Sequence, residues 1–288
     1  MDFHQPVLKD EVINLFNVQP GSIFIDATLG NGGHTLALLE KGATVYGLDQ
    51  DPSNIEIASA RINSPNFFPL NINFNQITDV VAKIDKPIAG ILFDLGLSSG
   101  QQKSTGRGFS FNDTDSLDMR LDPSTQKLTA EEVINTYSYD QLYDIFTKYA
   151  QETLSKPLII RIIKERQQSP IKSGQRLATI IRDYFDQKHR HSHIDPSTKI
   201  FMALRIFVNS EFDNLRQILS ESLNFTGTQI VIISFHSGED RIVKNFVRSQ
   251  TLLGKITNLT PKAILPGIKE VKTNSLSRSA VLRSYRIV

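Results

Sequence analysis

The chain contains no cysteine. Disulfides, thiolate zinc sites and iron–sulfur clusters are therefore excluded, and with them every mechanism that needs a cysteine nucleophile. A long apolar run is also missing. The first residues, Met1 to Val12, carry Asp2, Asp10 and Glu11 in place of the apolar core of a secretory signal, and no stretch reaches membrane-spanning length. The expectation is a cytoplasmic protein with no membrane partner. Nor is there a strong charge bias: 32 basic residues face 30 acidic ones, for a net charge of +2. That balance neither implies nor excludes a polyanionic partner, so the placement of charge matters more than its sum. Core material, by contrast, is plentiful. Hydrophobic residues make up 40% of the 288 and charged residues 22%, which suits one large α/β domain or one domain carrying another inserted in it.

The first third alternates short apolar runs with helical patterns. Ser22–Thr28, Ala43–Asp49 and Ile88–Asp94 read as buried strands, and Phe67–Phe74 as a further one. Gly33–Glu40 and Pro52–Ile62 read as helices, the second with proline at its first position, where the missing N–H costs nothing. Near-continuous apolar strands separated by helices predict a parallel sheet covered on both faces. The next comparable strand is Gln229–Phe235, and Ser279–Val288 suits a last one. The stretch between, from Leu95 to Thr228, is too long for a loop. It opens polar and rich in Gly and Ser. Helical patterns follow at Pro157–Arg166 and Gly174–Phe185, and Thr129 to Glu132 and Ser138 to Gln141 have capping-box spacing. Phe201, Leu204, Val208, Phe212, Leu215 and Leu219 fall on one face of a long helix over Thr198–Leu223. The predicted organisation is a main domain of residues 1–105 and 197–288 with a helical insertion at 106–196.

Between the first strand and first helix lies Asp26-Ala-Thr-Leu-Gly30-Asn-Gly32-Gly33-His34. Glycines there let a ligand approach the backbone and the free N–H groups of the helix start. Asp49 closes the second strand about twenty residues later, where an acid usually takes the ribose hydroxyls of an adenosine cofactor. The turn is G-x-G-G without the third glycine of a dinucleotide fingerprint. An acid, Asp26, precedes it and suits a sulfonium or an ammonium, and a polar loop follows Asp94 at the carboxyl edge. These features favour S-adenosylmethionine over a dinucleotide.

His4-Gln-Pro-Val-Leu8, the Asp26–His34 segment, Asp49-Gln-Asp-Pro52, Asp94-Leu-Gly-Leu-Ser-Ser99, Arg107-Gly-Phe-Ser-Phe111 and Leu117-Asp-Met-Arg120 occur in this order. Ala203-Leu-Arg-Ile206, Ser234-Phe-His-Ser237, Glu239-Asp-Arg241 and Ser277-Arg-Ser-Ala280 follow. Together, over nearly the whole chain, they resemble the ribosomal RNA small-subunit methyltransferase H family, also called MraW. The resemblance implies an α/β fold with a seven-stranded Rossmann-like methyltransferase sheet and an inserted helical domain that recognises substrate. It implies S-adenosyl-L-methionine as cofactor, held by Gly32, Gly33, His34, Asp49, Phe74, Asp94 and Gln101. The implied reaction is methyl transfer to N4 of a cytosine in the decoding region of 16S rRNA, within the small ribosomal subunit. A homodimer is allowed. Other readings are a methyltransferase for another RNA or DNA amino group, and a non-catalytic ribosome-assembly factor. Departures from the family pattern are Asn31, Gly238 in place of leucine, Asp195 and Lys199 in a His-Pro-Ala-Thr-Arg run, Met202 in place of glutamine, and Leu276 in place of arginine. The losses of arginine and glutamine lie away from the cofactor set and bear on RNA contact.

Asp94 and His236 are the candidate catalytic residues. Asp94 would accept the amino hydrogens of the target base. His236 has two readings: a substrate-pocket residue, or a strand-end histidine tied to Glu239 or Asp240. Arg107, Arg120 and Arg278 are candidate phosphate contacts. Phe109 and Phe111 would stack on an unstacked base or else belong to the core. A basic series, which includes Lys244, Arg248, Lys255 and Arg286, reads either as phosphate contact or as ordinary surface. His189, His191 and His193 lack carboxylates at ligand spacing, and no metal is expected. Without cysteine, C5 methylation through a thiolate adduct is excluded.

Overall fold

The computed structural model describes residues 5–96, 106–150, 155–187 and 195–288. The chain divides into two compact units, Met1–Ser98 with Phe212–Val288, and Ser99–Glu211. Among the described residues no helix is long and apolar enough to cross a membrane.

The first unit is built on β1 (Ile23–Asp26), β2 (Thr44–Asp49), β3 (Phe67–Asn71), β4 (Ile88–Asp94), β5 (Gln229–Ser234), β6 (Ile256–Asn258) and β7 (Val281–Ile287). They form one seven-stranded sheet in the order β3-β2-β1-β4-β5-β7-β6. The pairs among β1 to β5 are parallel, while β7 runs antiparallel to β5 and β6. This is the Rossmann-like methyltransferase sheet that the resemblance implies. β1 and β5 are buried at every position, which is why their sequences are apolar runs and not alternating patterns. Ile25, Ile91, Phe93, Ile230 and Ile232 point to one face, under Leu215, Leu219, Val243 and Val247. Phe24, Val45, Leu92, Val231 and Ile233 point to the other, where Leu8, Val12 and Phe16 cover them. The chain passes from β1 outward through β2 to β3, then returns to place β4 on the opposite flank of β1. Ligands in open α/β sheets bind at such a reversal, beyond the carboxyl ends of the strands. Asp26, Asp49 and Asp94 each end one of these strands.

The second unit holds helices Ala130–Thr136, Tyr139–Ile145, Ser155–Gln168, Gly174–Gln187 and Ser197–Val208. Ser138 and Gln141 form the full reciprocal cap, and Thr129 accepts the Glu132 N–H. Two expectations need correction here. The helix expected over Thr198–Leu223 is two helices, Ser197–Val208 and Glu211–Ser222, with Ser210 at φ 52 between them. The break is fixed by Asn209, whose buried amide donates to the Met119 carbonyl at 2.8 Å and accepts from the Leu121 N–H at 2.9 Å. The helix before the break belongs with this unit: Phe201 packs edge-on against Phe111, and Phe207 against Tyr137. The strand expected over Phe67–Phe74 stops at Asn71. The Asn73 side chain then accepts the Asn75 N–H and starts a short 3-10 turn at Phe74.

Candidate active site

The glycine turn after β1 is shaped by its backbone. Gly30 and Gly32 lie at φ 50 and 76, in the left-handed region that residues with a side chain rarely adopt. A Cβ on Gly32 would also meet the Ile62 side chain at 2.6 Å. Helix Gly33–Glu40 follows with no side-chain cap, so its first N–H groups are available to a ligand. Arg61 donates to the Asn31 carbonyl at 2.8 Å and holds the turn from outside.

Asp49 closes the turn from β2. Its carboxylate accepts from Gly30 N at 2.8 Å, Asp51 N at 2.9 Å and the Asn54 amide at 3.1 Å. Burial pushes its pKa up to about 6, against the opposing pull of these donors. Cofactor binding that uses the ionised carboxylate must therefore weaken as pH falls through 6, by about tenfold per unit below that point. The expected curve is flat above it. Calorimetry across this range checks it: a flat affinity would show that Asp49 does not titrate in the bound–free cycle, and Asp49→Asn should lose the slope.

At the reversal point, Asp94 ends β4 and His34 opens the helix after β1. His34 Nε2 lies 3.6 Å from Asp94 Oδ2, with the histidine side chain 5% exposed and Asp94 24%. Neither ring nitrogen of His34 has a hydrogen-bond partner among the described residues, nor does Asp94 Oδ1. Burial alone would lower the His34 pKa, but the carboxylates of Asp94, Asp26 and Glu270 reverse this and raise it. Asp26 is buried, which raises its own pKa, and it takes the Thr35 hydroxyl at 2.7 Å. Thr28 ties β1 to β4 by accepting the Asp94 N–H at 2.6 Å. Thr28, Thr35, Asn54, Arg61 and Glu270 were not singled out from sequence. Thr28 and Thr35 flank the glycine turn, and that position was the one available signal.

The remaining expected residues fall in several places. Phe74 meets Phe93 edge-on at 5.8 Å under the same sheet edge. Gln101 lies outside the described residues, as do His189, His191 and His193. His236 caps helix Ser237–Leu252: Nδ1 accepts from Gly238 N at 3.2 Å and Glu239 N at 3.4 Å, and Nε2 lies 3.1 Å from Glu239 Oε1. Gly238 is a departure with a visible reason, since a Cβ there would meet the Phe212 ring at 2.6 Å. In the second unit, Arg107 donates to the carbonyls of Arg120 and Leu121, and its guanidinium lies over Phe109. Arg120 makes a two-pronged pair with Asp118 at 2.7 Å. These two arginines, with buried Phe109, hold their own loop together. Phe111 is half-buried and Arg278 exposed. Asp195, another departure, pairs with Arg182 and caps Ser197 N.

The MraW methylase family matches the chain over residues 1–288. The chain is 40% identical to the ribosomal RNA small subunit methyltransferase H of Hydrogenobaculum sp., covering 99% of this chain and 96% of that one. It is 38% identical to the proteins of the same name from Syntrophotalea carbinolica, covering 98% and 97%, and Persephonella marina, covering 97% and 97%. Among solved structures, an rRNA methylase from Streptococcus thermophilus aligns over 100% of this chain and 99% of that one, with 12% identity and a TM-score of 0.39. That likeness is too loose to add to the assignment. The sequence matches are not: the chain belongs to the MraW methylase family, as an S-adenosylmethionine-dependent methyltransferase.

Proposed function

We propose that the protein methylates N4 of a cytosine in the decoding region of 16S rRNA, within the small ribosomal subunit. The family relationship supports an rRNA substrate, and one observation supports an amino group as acceptor. Asp94 Oδ1, a carboxylate oxygen at the β4 edge, has no hydrogen-bond partner among the described residues. An exocyclic amino group presents N–H donors, and a carboxylate oxygen is an acceptor only.

The cofactor set proposed is Gly32, Gly33, His34, Asp49, Phe74, Asp94 and Gln101. The residues present fit such a molecule. Asp49 offers acceptors for ribose hydroxyls, Gly30 and Gly32 present backbone in the left-handed conformation with no side chain in the way, and His34 Nδ1 has no hydrogen-bond partner among the described residues. S-adenosylmethionine supplies a methyl group already activated on a sulfonium. The protein's task is then mainly alignment, because the N4 lone pair is delocalised into the ring and attacks poorly. Asp94 Oδ1 accepts an amino hydrogen and favours the pyramidal, attacking nitrogen over the planar one, an interaction stronger in the transition state than before it. His34, against Oδ2, fixes the direction in which Oδ1 points. The backbone after Asp94, at Leu95 and Gly96, offers further acceptors. His236 is proposed to line the substrate side through its capped position, and Phe111 to stack on the unstacked base. Arg107, Arg120 and Phe109 act by shaping the recognition loop of the inserted unit, and exposed Arg278 contacts phosphate.

Incubating the purified protein with small subunits and methyl-labelled cofactor, then digesting the RNA to nucleosides, tests this. Label is expected in N4-methylcytidine. Label in a methylated adenosine, or in no nucleoside, would overturn the reading.

A further inference from the structure

Two helices of the first unit lie on one face of the sheet and leave a groove between them. Their upper ends meet at the carboxyl edge, where the Phe212 ring lies 5.6 Å from the His236 ring. Lower down both rest on Tyr285: Ser222 Oγ is 3.1 Å from its hydroxyl, and the Phe246 ring is 5.8 Å from its ring. The helices Glu211–Ser222 and Ser237–Leu252 therefore run in the same direction down the face. The groove is lined by Arg216, Leu219, Arg241, Ile242, Asn245 and Phe246, with a volume of about 410 Å³. That is the size of pockets that hold a small ligand or one unit of a polymer.

Its chemistry is particular. Arg241, Lys244 and Arg248 recur at three and four residues along the second helix, so they share one side of it. All three are exposed. From Arg241 through Lys255 the chain carries no aspartate or glutamate. Acids of the first helix are engaged by other groups: Asp213 pairs with Arg216 at 2.8 Å, and Glu221 is taken up by Gln217 and Thr78. The floor is apolar, from Leu219, Ile242 and Phe246. Arg216 and Arg241 in the lining, Lys244 and Arg248 on the adjoining solvent side of the second helix, an amide and an aromatic ring are what an RNA strand needs: charge for the phosphates and a flat apolar surface for a base. Arg241 lies little more than one helical turn, about 7 Å, from the His236 cap. The groove thus starts next to the catalytic edge and leads away from it.

We propose that this groove is a docking track for the sugar-phosphate backbone of the rRNA substrate, separate from the pocket that takes the target base. The partner rests on the rRNA reading above. Reversing the charge at the groove and along the adjoining side of its second helix, in Arg241→Glu with Lys244→Glu and Arg248→Glu, tests it. KM for small-subunit RNA should rise by about tenfold or more, and the dependence of log affinity on log salt should become shallower by about two. Turnover at saturating RNA, cofactor affinity and melting temperature should hold. The neutral set Arg241→Gln, Lys244→Gln and Arg248→Gln, which keeps helix-forming residues in place, should show the same changes at reduced size. An unchanged KM and salt slope would overturn the track while leaving the rRNA reading intact. Conversely, a wild-type protein that binds small-subunit RNA through these residues but methylates none of it would sink that reading and keep the track. Binding lost to intact subunits but retained to protein-free rRNA would assign the groove to a ribosomal protein and also overturn the proposal.

Discussion

Asp94→Asn should slow methyl transfer by about ten- to a hundredfold, a larger loss than it causes in cofactor affinity. The substitution keeps the shape at the end of β4 but removes the charge. It also allows an NH2 group to face the substrate amine, donor against donor. A hydrogen bond to a charged group is worth about 1.5–3 kcal/mol, which sets the expected range of rate. If the contact is made chiefly in the transition state, kcat and kcat/KM should fall together. Two features of the structure make the position sensitive. Asp94 Oδ1 has no hydrogen-bond partner among the described residues, and Oδ2 faces a buried histidine at 3.6 Å. The competing role is that Asp94 mainly holds the cofactor. Loss would then appear in the cofactor dissociation constant, with near-normal single-turnover rates at saturating cofactor. That outcome would leave Asp94 a binding residue.

The second large effect is expected at Asp49. Asp49→Ala should weaken cofactor binding by about ten- to a hundredfold, from the same 1.5–3 kcal/mol for a charge-assisted contact. It removes more than the ribose acceptor, because the carboxylate also takes the Gly30 N–H, the Asp51 N–H and the Asn54 amide. The glycine turn loses its side-chain tether to β2 and keeps the Leu29 N–H bond to the Leu48 carbonyl, so melting temperature should drop as well. Asp49→Asn separates the two functions. Its amide oxygen can keep one of the backbone donors, and stability should recover further than affinity does. Calorimetry with thermal melting on both variants checks this. Wild-type affinity in folded Asp49→Ala would remove Asp49 from the cofactor site.

Much of the sheet was legible because burial on both faces leaves an uninterrupted apolar run, as in IFID of β1 and QIVIIS of β5. The acids were legible for the complementary reason: an aspartate directly after such a run has to stand at its end, at the edge. β6 was not legible, since three residues carry no period. The break at Asn209 and Ser210 was hidden by the pattern itself. Phe201, Leu204 and Val208 before it, and Phe212, Leu215 and Leu219 after it, keep helical spacing, although they pack in different units. What stops the helix is a tertiary bond from Asn209 to Met119 and Leu121, far away in sequence. The intramolecular partners of Arg107 and Arg120 were hidden for a similar reason. Their acceptors are carbonyls and an aspartate brought close by the loop fold, and no spacing rule announces a carbonyl. The pairing of His34 with Asp94 was legible only in part. Both residues were picked as cofactor contacts, but that they face each other follows from β1 and β4 being neighbours in the sheet.

The central claim concerns one atom of one base, and mapping of ribosomal RNA methylation by mass spectrometry in a strain deleted for this protein tests it most directly. The account predicts the loss of an N4-methyl group from a single cytosine in the decoding region of 16S rRNA, restored by the wild-type chain. An unchanged methylation map, or a loss confined to another base or to the large subunit, would contradict it.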